Sequence, residues 1–125
     1  MEEFENLEWH DALLKNIIID RSDPGVLDNI EIIIKWTNGD SSKLIFREVY
    51  MANLDLNFGV IADECISHVN LIKKDDPMFS KLIKKWVNLY EGVLDLKGFE
   101  IKTITTNSTI RIFSKNIKIV TYNQK

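Results

Sequence analysis

The chain has 125 residues, 45% hydrophobic and 28% charged, with a formal net charge of −3. This balance excludes extended disorder and predicts one domain, residues 1–125, with a packed core. No dense basic run with interleaved aromatics occurs, which argues against nucleic acid as a partner, and no apolar run approaches the ~18 residues of a membrane span.

Residues 13–20, LLKNIIID, read as a strand rich in Ile, followed by a turn at RSDPGVLDN. A second strand, IEIIIKW at 30–36, puts Ile30, Ile32, Ile34 and Trp36 on one face. TNGDSS then reverses the chain into KLIFREVY at 43–50. Burial favours a loop of Asn38-Gly39-Asp40, which pairs Ile34 with Leu44 and Ile32 with Phe46. The stretch NFGVIADECI breaks at Gly59 and suggests a short helix, and ISHVNLI after it is extended.

The clearest helix begins at DDPMFSKLIKKWVNLYEG. Asp76 is placed to cap it, Pro77 suits the first helical position, and Phe79, Leu82, Ile83, Trp86 and Tyr90 form one apolar stripe. Gly92 is the expected stop. Three β-rich runs follow near 98–105, 109–114 and 116–122, with Thr-Thr-Asn-Ser and Ser-Lys-Asn as turns between them. The class is therefore α+β: a mostly antiparallel sheet of about six or seven strands with one main amphipathic helix near 76–90.

Candidate chemistry is sparse. His10-Asp11 resembles the ligand dipeptide of metal phosphohydrolases, but His68 is the only other histidine. Cys65 and His68 have a possible ligand spacing, yet on a strand residues three apart point to opposite faces. The expected role of Asp11 is to turn the chain into the first strand, with His10, Asp11 and Asn57 forming a structural polar cluster near the kink at Gly59. Glu100-Ile101-Lys102, with Asp95 or Asp76 upstream, fits a metal-dependent nuclease pattern. Chance supplies about one such Glu-x-Lys in a chain of this composition, and a solvated strand face gives the same spacing. There is no Gly-rich phosphate loop and no Gly-x-Ser-x-Gly elbow. No metal site or cofactor is expected. Cys65 has acidic neighbours and is expected to be inert, and as a lone cysteine it agrees with a reducing compartment. The opening MEEFENLEWHD is acidic where a secretory signal is basic, so a cytoplasmic location is expected.

Charge is unevenly spread: residues 1–34 carry nine acids against Lys15 and Arg21, and residues 96–125 carry six bases against Glu100. Asp20, Asp23, Asp28 and Glu31 gather around the first turn and are the candidate protein-binding residues. WHDALL at 9–14, DPG at 23–25, IIKWTNGD at 33–40, NFGVIA at 57–62 and TTNSTIRI at 105–112 together resemble a family of small bacterial proteins without an assigned reaction. In size, charge and style the chain also resembles immunity proteins, which neutralise a toxin domain by binding it. That likeness implies a non-enzymatic protein-binding domain whose partner is a basic toxin domain. The alternative is a metal-dependent hydrolase or nuclease.

Overall fold

The computed structural model describes residues 2–25 and 28–122. Its framework is one antiparallel sheet of six strands in the order β1-β2-β3-β6-β5-β4. These are β1 (Leu13–Asp20), β2 (Asn29–Lys35), β3 (Ser41–Asp55), β4 (Ile66–Ile72), β5 (Lys97–Thr103) and β6 (Thr109–Thr121). Two helices accompany them, the four-residue α1 (Glu2–Glu5) and the ten-residue α2 (Pro77–Trp86), and a 3-10 turn spans Glu91–Asp95. No helix among the described residues is long and apolar enough to cross a membrane.

The sheet curls until its two outer strands meet at one corner. Leu13 bridges Cys65, the Leu14 N–H donates to the Glu64 carbonyl at 2.9 Å, and Ile66 N–H donates to Ala12 C=O at 2.8 Å. Period-two alternation points Ile30, Ile32, Ile34, Leu44, Phe46, Phe99, Ile101, Ile110 and Ile112 into the curl, where all are buried. Phe4, Trp9 and Ala12 plug it from the N-terminal segment, with Trp9 Nε1 donating to the Phe4 carbonyl at 2.6 Å. Tryptophan fits here because its N–H finds a partner while its rings pack edge-on against Trp36, 5.1 Å away.

On the outer face α2 packs Phe79 and Leu82 against Phe113, Val93 and Leu96, forming a second, smaller core. Asp76 caps the helix by accepting from the N–H groups of Met78 and Phe79 at 2.9 and 3.4 Å. The helix is shorter than its stripe suggests. It ends at Trp86, and Tyr90 turns away to stack on Tyr50 at 5.5 Å while accepting from Lys115 Nζ at 2.6 Å. Gly92 lies within the 3-10 turn and is not the helix stop; a Cβ there would stand 2.4 Å from the Tyr90 ring.

Other expectations are corrected by tertiary pairing. The β2–β3 loop is Thr37-Asn38-Gly39, one residue earlier than expected, so Ile34 faces Ser42, Ile32 faces Leu44 and Ile30 faces Phe46. Gly39, at φ +94°, takes the left-handed position that closes this turn, and Trp36 N–H donates to Asp40 C=O at 2.8 Å. Ser114-Lys115-Asn116 is not a turn: β6 runs through it because β3 opposes it across a bulge between Val49 and Met51. The two expected C-terminal strands are thus one. Residues 56–65 form a loop and no helix.

Candidate protein-binding surface

The WHDA segment is a tight turn. Trp9 and Ala12 are buried, Ala12 N–H donates to Trp9 C=O at 3.0 Å, and Asp11 sits at φ +66°, a left-handed conformation that Asp tolerates better than most residues. His10 and Asp11 therefore face outward, with His10 Nε2 3.6 Å from Asp11 Oδ2. The cluster expected of His10, Asp11 and Asn57 does not assemble. Asn57 is held elsewhere: its backbone N–H donates to Ser108 Oγ at 2.9 Å and its Nδ2 to Asn107 C=O at 3.0 Å.

Those two bonds begin a network that knits loop 56–65 to loop 104–108. Thr105 Oγ1 donates to Asp63 C=O at 2.7 Å and accepts from Cys65 N–H at 2.9 Å. Thr106 donates from its backbone and its hydroxyl to the Glu64 carboxylate, and Ile104 N–H donates to Cys65 C=O at 2.8 Å. The TTNS segment is thus the platform on which NFGVIA rests. Gly59, at φ +97°, bends the loop outward.

Between these anchored ends the loop exposes apolar side chains. Phe58 is 84% exposed, Val60 51%, and Ile61 fully exposed, while Ile104 in the loop bonded to its end is 66% exposed. Large apolar groups gathered on one loop, held at both ends, make it the candidate protein-binding surface. The sequence carried a signal for it: three large apolar residues in five positions, interrupted by Gly59, in a run too short to fill a strand or helix face.

The acidic candidates are divided. Asp20 accepts from the N–H and Oγ of Ser22 at 2.9 and 2.6 Å, and these hydrogen bonds hold its carboxyl below the usual range. Asp28 Oδ2 accepts from Gly25 N–H at 2.9 Å, and Asp23 is exposed in the same turn. Glu31 lies inside β2, 3.1 Å from Lys43 Nζ, and is not part of that turn.

The nuclease pattern meets a different environment from the one expected. Glu100 is buried against Arg111, whose Nε donates to Glu100 Oε2 at 2.7 Å, so it is not the outward partner of Lys102. Nη1 and Nη2 of Arg111 grip Asp76 at 3.1 and 3.0 Å. The guanidinium holds the Asp76 carboxyl below the usual carboxylate range, and Asp76 in turn raises the Arg111 value. A fixed cation therefore occupies the space between the two acids. Asp95 lies in the exposed 3-10 turn, and among the described residues no three His, Cys, Asp or Glu side chains group as metal ligands. Cys65 is half-buried, and exposed His68 contacts Ser67 Oγ at 3.0 Å.

No protein-family model matches the chain, and no curated protein matches it.

Proposed function

We propose that this chain is a protein-binding domain of the immunity type, which neutralises a basic toxin domain in the cytoplasm by seating it on the loop of Phe58, Val60 and Ile61. The observation that carries the reading is the exposure of these three side chains on a loop whose two ends, Asn57 and Asp63, are held by the β5–β6 turn. Burying Phe58 and Ile61 against a partner is worth roughly 1.5–3 kcal/mol each. Anchoring both ends of the loop before contact lowers the conformational entropy lost on binding. Asp20 at the end of β1, with Asp23 and Asp28 in the turn after it, adds a field that speeds the approach of a basic partner. The likeness of the WHDALL and NFGVIA segments to small bacterial proteins belongs to the same proposal.

Photo-cross-linking tests it. A benzophenone amino acid replaces Ile61 in cells of the source organism, with Leu89, exposed on another part of the surface, as the control position. One basic protein joined at position 61 and not at position 89, whose toxic activity the purified chain abolishes, is the expected result. Identical cross-links at both positions, or none at 61, contradict the reading.

A further inference from the structure

A sheet ends in two edge strands with unpaired backbone groups, and here the two edges are treated differently. Against β4 lies α1, and the Glu5 carboxylate accepts from Leu71 N–H at 3.4 Å. The start of β4 is covered by the pairing of residues 12–14 with 64–66. β1 pairs with β2 on one side only, and beyond Leu14 its other side meets no strand among the described residues. Alternate N–H and C=O groups of Asn16 to Asp20 therefore face outward unpaired.

The side chains along this edge are apolar on both faces. Ile18, opposite Glu31, is 43% exposed on the outer face, and Ile19, opposite Ile30, is 51% exposed at the inner one. The bulge at Lys15 blunts the edge at one end alone, and Lys15 Nζ leans 3.5 Å from Asp63. At that end a cleft of about 400 Å³ separates β1 from the loop at Leu56 to Val60. At the other end stand Asp20, Asp23 and Asp28, with Arg21 beside Asp20 in the chain. The edge thus joins the apolar loop to the acidic turn.

We propose that the partner adds an extended strand to β1 along Asn16–Asp20, apolar in its middle and carrying Lys or Arg at the end beside Asp20. Such a strand completes the backbone hydrogen bonds, covers Ile18 and Ile19, and reaches the Phe58 loop with its other end. The excess of carboxylates beside Asp20 sets the sign of its terminal charge. A second copy fits less well: two β1 strands paired about Ile18 bring Lys15 opposite Arg21 of the other copy at both ends. This inference rests on the protein-binding reading and specifies its geometry.

The probe is a short synthetic strand of alternating valine and threonine, blocked at both termini and ending in arginine, titrated into the isotopically labelled chain. At saturation the outward amides of Asn16–Asp20 exchange with solvent more slowly by about tenfold or more. A glutamate-ended probe binds more weakly, and Ile18→Lys, checked as folded by circular dichroism, abolishes the protection. Unchanged exchange in β1 up to the solubility limit overturns strand addition, and equal binding of the two probes overturns its charge rule. Protection of the same amides by self-association of the chain alone assigns the edge to a second copy and also overturns it. Shifts at Phe58–Ile61 without protection in β1 leave the protein-binding reading standing and remove the added strand. Protection in β1 without a cross-link at position 61 does the reverse.

Discussion

Arg111 holds two carboxylates on different elements, Glu100 of β5 and Asp76 at the start of α2, and so fastens the helix to the sheet. Arg111→Met is expected to destabilise the fold by about 3 kcal/mol at neutral pH, because it leaves Glu100 buried beside an unpaired Asp76. Urea denaturation measures this, and the deficit should shrink in acid as Asp76 takes up a proton. Asp76 itself has a folded value below the unfolded value of about 3.9, so its contribution is complete above that pH and disappears as pH falls through the folded value. The difference in stability between wild type and Asp76→Asn should accordingly be full at neutral pH and vanish in strong acid; a constant difference contradicts the assignment. The cap at Asp76 and the Pro77 that follows were legible because capping grammar is local. The burial of Glu100 was not, since its partner is reached only through the pairing of β5 with β6 and the docking of α2.

At the scale of elements, local signals located the strands and helix while long-range pairing set their ends. β1, β2, β4 and the start of α2 stand where periodicity put them. β6 passes through a strong turn signal because β3, pairing with it from Ser42 to Asp55, offers a partner for each side of the bulge. α2 stops early because Tyr90 gains a stacked Tyr50 and a hydrogen bond from Lys115 in place of another helical turn. The seat of α2 depends on Gly98, where a Cβ would stand 2.7 Å from Ile72 Cβ and 3.1 Å from the Phe113 ring. Gly98→Ala is predicted to cost about 1–3 kcal/mol through overpacking, read as a lower urea midpoint with an unchanged slope. A neutral or stabilising effect would mean that β4 and β5 part more easily than this contact implies.

Across the whole molecule, the curl of the sheet brings residues 11–14 beside 64–66 and gathers the WHDA, NFGVIA and TTNS segments at one corner. Alternation in the strands made an α+β sheet with buried isoleucines legible, since each strand reports its own inner face. The corner was illegible because no single segment records which edge closes on which. His10 and Asn57 were expected together, yet Asn57 meets Asn107 and Ser108 instead. The exposed apolar loop follows from the same closure: hydrogen bonds to Thr105, Thr106 and Ser108 hold its two ends, at Asn57 and at residues 63–65, while Phe58, Val60 and Ile61 between them lie outside the core. That surface is the central claim, and the most direct measurement is the affinity of the cross-linked partner for wild type and for the double variant Phe58→Asp with Ile61→Asp. The account predicts an affinity about a hundredfold or more weaker, with thermal stability unchanged because both side chains already face solvent. Equal affinity for the two proteins would contradict it.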